Sequence, residues 1–266
     1  MLDRNQILAR QRTLRLGAYV LLWASLWTSA VTHAALADVS PETTYRWWGA
    51  VLTQYVDDAG RTNFGALATS RTDLDRFVAW VGKVSPQNHP ERFPSREAVL
   101  AYHLNAYNAL AMVSVVDAGI PSDFSNFIKR RRFFNWRTVT IGGQDTNLSA
   151  YENEVIRPLG EARVHFALNC MVRDCPRLPR APFQAATLDA TLTLLTREFF
   201  TQAHHLRIAD ATREIWVSSI LSSYTADFSR DPEHLIDFIN RYRPAPLPSG
   251  YRLRFIDYDW TINRQP

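Results

Sequence analysis

The sequence predicts an α+β fold, a single helix-rich domain with a small, mainly antiparallel sheet. Three observations lead there. Segments with apolar residues at spacings of three and four outnumber segments that alternate. The alternating segments are short, and two pairs of them flank tight turns. No internal repeat, low-complexity tract or long linker interrupts the series, so one domain over residues 38–266 is the simplest organisation. The chain is 46% hydrophobic and 21% charged, which suits a sizeable core rather than disorder.

The first 37 residues read differently. Arg4, Arg10, Arg12 and Arg15 precede an apolar run over residues 16–31, and small residues follow at 32–37. That order matches a secretory signal peptide, with cleavage expected after Ala34 or Ala37. The run is shorter than the roughly 20 residues of a full span. The alternative is an uncleaved anchor with the domain facing the periplasm. Both place the domain in an oxidising space, periplasmic or secreted, with no membrane span after signal cleavage. Beyond residue 37 the charges nearly cancel, with 26 basic and 25 acidic residues, so net charge gives a nucleic-acid partner no support.

Residues 41–55 carry Tyr45, Trp48, Leu52 and Tyr55 on one helical face, and a turn follows at 57–60. Residues 62–67 are a short extended piece or a helix start, and 72–84 form a helix through Leu74, Phe77, Val78 and Val81. Pro86, Pro90 and Pro94 mark a loop. Ser95 caps a long helix that Gly119-Ile120-Pro121 closes. This helix is apolar nearly all round, so it should be buried, and Asn105 and Asn108 in its middle need partners. Residues 123–128 are a short helix or loop. The basic run Lys129-Arg130-Arg131-Arg132 precedes Phe133, Phe134 and Trp136; it is read as a solvated edge or loop rather than a binding patch.

Strands at 138–141 and 144–148 flank the turn Gly142-Gly143, and a short helix spans 148–158. Val164, Phe166 and Leu168 alternate with His165, Ala167 and Asn169, the period of a strand that runs out at Asn169; a loop from Cys170 to Pro176 follows. Residues 187–200 form an amphipathic helix. Strands at 206–209 and 215–217 pair around a turn at 210–213, helices follow at 218–228 and 232–242, and 253–258 is a final strand. His204, His205 and His234 read as surface residues.

The chemistry-bearing residues cluster around 165–176. Cys170 and Cys175 are separated by four residues, and in an oxidising compartment a disulfide is the default. A second reading makes either one a nucleophile, with His165 as its base and Asn105, Asn108, Asp257 or Asp259 as the group that orients the base. A third, two thiolates and a His around zinc, is weak because the chain has no other Cys and no paired His spacing. No metal or cofactor is therefore expected. Asp257 and Asp259 are expected to bridge arginines such as Arg157, Arg163 or Arg173. Glu152 and Glu154 are two apart on a helix and face different ways.

Four blocks in one order carry a resemblance. They are residues 102–110 (Tyr-His-Leu-Asn-Ala-Tyr-Asn-Ala-Leu), 148–157 with its acidic pair, 165–170 with Cys175-Pro176, and 258–263 (Tyr-Asp-Trp-Thr-Ile-Asn). Together they resemble the domain-of-unknown-function 547 family over most of the chain past the leader. One departure is His103, where the family usually has an aromatic, often Trp. The resemblance implies a domain and recurrent polar residues, but no activity.

The expectation is a polar cleft built from Asn105, Asn108, Glu152, Arg157 and Asp259 as ligand-binding candidates, with His165, Cys170 and Cys175 as catalytic candidates. Its partner would be a small molecule or peptide. Two functions fit: a thiol-dependent hydrolase or acyltransferase, and a non-catalytic envelope binding module whose cysteines staple the loop.

Overall fold

A computed structural model describes residues 36–229 and 234–266. The expected leader falls almost wholly outside the described residues, as does the start of the helix expected at 232. The fold occupies Pro41–Pro266. In chain order its elements are α1 (Pro41–Tyr55), α2 (Phe64–Thr69), α3 (Thr72–Val81), α4 (Arg96–Asp117) and α5 (Phe127–Arg131). Then come β1 (Val139–Ile141), β2 (Gln144–Thr146), α6 (Leu148–Ala150), α7 (Leu188–Phe199), β3 (Leu206–Ala209) and β4 (Glu214–Ser218). The short helices α8 (Ile220–Ser223), α9 (Thr225–Phe228) and α10 (Leu235–Asn240) precede β5 (Arg252–Ile256). The fold is α+β, helix-rich, with a two-stranded hairpin β1-β2 and a sheet β3-β4-β5.

α4 is the axis. The Ser95 hydroxyl accepts from Ala98 N–H and starts it. Gly119 and Ile120 end it in the left-handed region (φ 77° and 52°). Every residue from Leu100 to Val115 is buried. The helix is long and apolar enough to cross a bilayer, but protein covers it. On one side lie α1 and α3, where Trp48, Phe77, Trp80, Phe93 and Tyr102 stack in a chain of rings. Each such pair adds about 1 kcal/mol beyond its buried area. A second core gathers Phe166, Phe199, Phe200, Phe228 and Phe238 against β3 and β4.

The hairpin β1-β2 turns at Gly142-Gly143, both at positive φ (56° and 81°). A two-residue turn with positive φ at both positions matches the twist of its strands, and only glycine adopts it without strain. β3 and β4 pair antiparallel around Arg213, also at positive φ, while β5 joins β4 in parallel.

Three expectations fail. The stretch leading to Asn169 is no strand. Residues Ala162–Phe166 form a 3-10 helix started by Glu161, whose carboxylate accepts from Arg163 N–H. The apparent alternation misled because every residue from 164 to 169 is buried, so it marked no sheet face. The basic run is helical rather than an edge or loop: α5 continues through wider π-type turns at Arg132–Trp136. His205 is not on the surface. It is 1% exposed, stacks on Phe199 at 3.8 Å and leaves both ring nitrogens without a hydrogen bond. His204 and His234 are exposed.

The buried histidines make the fold sensitive to acid. Burial drives His205 down to about 3 and His103 down to about 4, so both rings are neutral in the folded protein. The unfolded chain takes up their protons below about pH 6.5, so stability is complete above that pH and falls below it, by about 1.4 kcal/mol per pH unit per ring. His205→Phe keeps the stack and removes two orphan nitrogens. We expect it to match or exceed the natural chain at neutral pH and to flatten the decline between about pH 6 and pH 4. Urea midpoints across that range check this, and an unchanged slope would contradict it.

Candidate functional site

The long helix delivers its two buried amides to the polypeptide beside it. Asn108 donates from Nδ2 to Ala167 O at 3.0 Å and accepts at Oδ1 from Asn169 N–H at 2.7 Å. Asn105 does the same to Phe183, with Nδ2 to O and Oδ1 from N–H, both at 2.9 Å. Asn169 donates to Pro176 O and accepts from Met171 N–H. A side-chain amide offers two donors and two acceptor lone pairs, and here each one replaces a backbone partner that the non-helical, non-strand chain lacks. Asn105 and Asn108 are thus the struts of the site, and neither lines the cleft.

The residues after Cys170 are held from a second side. Met171 sits at φ 66°, buried, with its carbonyl accepting from Asn263 N–H. Val172 bridges to Ile262, Arg173 N–H donates to Thr261 O, and Asp259 N–H donates to Asp174 Oδ2 at 2.7 Å. Asp259 also pairs with Arg173 at 3.7 Å, in line with the bridge to arginine expected for it. Both carboxylate contacts brace the loop from outside the cleft.

Between these braces lies a cavity of about 200 Å³. His165, Cys170, Glu152, Tyr107, Tyr224 and Tyr258 give it its polar wall; Phe134, Trp260 and Leu168 give it an apolar one. Ser149, Ser219 and Ser223 also line it. Asn105, Asn108, Arg157 and Asp259 stay outside the lining, whereas Glu152, His165 and Cys170 come together in it.

His165 is the organised group. Its Nε2 donates to Asp227 Oδ2 at 2.7 Å, and the ring stacks on Tyr224 with centroids 4.1 Å apart. Arg157 grips the same carboxylate from both oxygens, Nε to Oδ2 at 2.6 Å and Nη2 to Oδ1 at 2.9 Å. Arg157 also donates to Asn153 and lies over the Tyr224 ring at 4.9 Å. Burial raises the Asp227 carboxyl, but the bonds from Arg157 and His165 outweigh it and hold the group below the usual carboxylate range. Burial lowers His165 from its ordinary value and outweighs the pull of Asp227 and Glu152 in the other direction. A neutral ring that gives its Nε2 proton to a carboxylate presents Nδ1 as a lone pair. Among the described residues, Nδ1 has no hydrogen-bond partner.

Glu152 accepts from Tyr107 Oη at 3.0 Å, and burial together with that carboxylate keeps the Tyr107 and Tyr224 phenols protonated. Cys170 and Cys175 form a disulfide with Cα atoms 6.0 Å apart. The Tyr258 hydroxyl lies 3.5 Å from one sulfur and 3.6 Å from the other, and Cys170 N–H points at Cys175 Sγ from 3.0 Å. Cys170 lines the cleft, while Cys175 faces a separate arginine-lined groove with Arg61, Arg173, Arg177 and Arg264. Among the described residues no three His, Cys, Asp or Glu side chains are gathered so as to hold a metal ion.

Sequence reasoning missed Asp227. None of the four orienting groups considered (Asn105, Asn108, Asp257, Asp259) touches His165. The residue that does lies 62 positions away on a four-residue helical turn, where Tyr224 and Asp227, three apart, fall on one side. Nothing in the sequence ties that pair to His165. His103, the departure from the family pattern, bonds Tyr151 Oη at 2.7 Å in the core and does not line the cleft.

No curated protein and no solved structure matches the chain. A family model does match, and its span takes in α4, Glu152, His165 and both cysteines, while Asp227 and Tyr258 lie beyond it. Residues 91–200 match the family described as protein of unknown function, DUF547.

Proposed function

We propose that the cleft is the active site of a thiol-dependent acyl-transfer enzyme or hydrolase, with Cys170 as nucleophile and His165 as base, held off by the Cys170–Cys175 disulfide until a dithiol reductant opens it. The observation that carries this reading is the His165–Asp227–Arg157 chain ending on a cleft that Cys170 also lines. The protein is read as exported, on the basic and apolar pattern of its first 37 residues.

A dithiol gives two electrons and two protons to the disulfide and leaves as its own disulfide. The Cys170 thiol passes its proton to His165 Nδ1, and the thiolate adds to the carbonyl of an ester or thioester. Asp227 holds the ring's orientation and stabilises the imidazolium that forms. The proton then goes to the departing alkoxide or thiolate. Water or an acceptor nucleophile, deprotonated by His165, releases the acyl group and restores the Cys170 thiol. The loop survives opening of the disulfide because Asn108, Asn169 and the 259–263 segment hold it independently. So short a bridged loop contributes only about 2 kcal/mol.

The second reading is a non-catalytic envelope binding module in which the disulfide is a staple. The disulfide itself favours it. The two readings part on Cys175→Ser, which frees Cys170 without reductant. We expect this variant to lose about 2 kcal/mol of stability by urea unfolding, to remain folded, and to hydrolyse activated aryl esters and thioesters with no dithiol present. A covalent acyl adduct should appear on Cys170 by mass spectrometry. Cys170→Ser should be inert. A folded Cys175→Ser protein without adduct or turnover would overturn the enzyme reading.

The pH profile gives a separate check. The base works in its neutral form, and burial places its titration below the ordinary 6.5, so the acid limb of the rate should lie below about pH 6.5. Asp227→Asn removes the charge that favours the protonated ring. It should move that limb to lower pH and cut the rate at neutral pH by on the order of a hundredfold or more through loss of ring orientation. A limb that moves upward would contradict the assigned role.

A further inference from the structure

Helix α5 and its continuation through Trp136 expose an apolar and cationic surface that the cleft does not use. Phe127, Ile128 and Trp136 are 62%, 59% and 57% exposed. They are half of the six large apolar side chains that stand out among the described residues, gathered within ten positions. Scattered single apolar residues need no explanation, but a cluster does. Cations are interleaved with them. The Arg131 guanidinium lies over the Phe127 ring at 5.7 Å and over the Trp136 ring at 5.9 Å. Among the described residues neither Arg131 nor Arg132 has a carboxylate partner, although Arg61, Arg71, Arg157, Arg163, Arg177 and Arg180 all do.

The surface is also rigidly rooted. Phe133 is buried and packs on Phe124 with centroids 4.3 Å apart; Phe134 meets Trp260 at 6.2 Å, and the Arg130 guanidinium lies over the Trp260 ring at 4.5 Å. The wider π-type turns at Arg132–Trp136 change the helical repeat, so that Phe133 faces inward while Trp136 faces out with Phe127. Phe127, Ile128 and Trp136 stay largely exposed, with Arg131 over two of their rings, while the helix that presents them is fixed.

We propose that this surface docks on an anionic phospholipid bilayer, Phe127, Ile128 and Trp136 entering the interface while Arg131 and Arg132 meet lipid phosphates. Aromatic rings seated at the headgroup level beside arginines are the side-chain chemistry that such an interface selects. A nucleic-acid duplex would use the cations but leave three apolar side chains in water. A second copy of the chain would bury the apolar groups but set arginines against arginines. Only an anionic surface with an apolar interior satisfies both halves. Phe134 and Trp260 line the cleft and root the docking helix, so the cleft and the docking surface share a wall.

The test is sedimentation of the full chain with vesicles of equal parts phosphatidylglycerol and phosphatidylcholine, against vesicles of phosphatidylcholine alone. The apolar run at 16–31 is common to every variant, so the comparison reads only differences between them. Arg131→Gln/Arg132→Gln should weaken partitioning to the anionic vesicles by on the order of tenfold or more and leave the neutral vesicles unchanged. Raising salt to about 1 M should abolish that difference. Phe127→Ser/Ile128→Ser/Trp136→Ser should weaken partitioning to both, with the urea midpoint held. Equal partitioning of all three proteins would overturn the proposal. So would loss of duplex DNA binding in the arginine variant with vesicle binding intact, or conversion of a dimer to a monomer in the apolar variant with vesicle binding intact.

Discussion

The turn that joins His165 to Cys170 depends on one buried amide. Asn108 holds Ala167 O and Asn169 N–H from the middle of a helix that is buried along most of its length. Without it, the chain between the 3-10 helix and Cys170 would carry an unpaired donor and an unpaired acceptor in the core, each at a cost of about 1–3 kcal/mol. The clamp leaves His165 on one side of the turn and Cys170 on the other, both facing one cavity. Asn105 repeats the device for Phe183 and Asn169 for Pro176.

The cleft divides its carboxylates by environment. Asp227 is saturated by a bidentate arginine and a histidine, so it stays ionised and fixes the ring. Glu152 takes a phenol instead and faces the cavity. On the proposed reading, one orients the base and the other meets the ligand. Such a separation of roles is how neighbouring acids serve different ends. The disulfide adds a third element, since Cys170 opens on the cleft while Cys175 is buried beneath Tyr258 and an arginine-lined groove.

Much of the fold was legible in the sequence because helix period and turn chemistry are local. Ser95, Gly119 and Gly142-Gly143 mark the ends of α4 and the hairpin, and the structure places them there. The cysteine pair and its neighbours also carried a readable signal. The rest lay beyond reach for physical reasons. A fully buried stretch such as 164–169 shows alternation with no sheet behind it. Asn105 and Asn108 could be seen to need partners, but which backbone they hold is a matter of three dimensions. Asp227 reaches His165 across 62 positions from a short polar turn that looks like any other. His205 resembles a surface residue by type, and its burial against Phe199 is a matter of packing.

Asp227 fixes a neutral His165 ring with Nδ1 free to accept a proton. Nitrogen chemical shifts of the labelled His165 ring, followed from about pH 8 to about pH 4, report both tautomer and titration. The structure calls for the Nε2–H tautomer throughout the neutral range and a midpoint below the ordinary 6.5. An Nδ1–H tautomer, or a midpoint above that value, would contradict it.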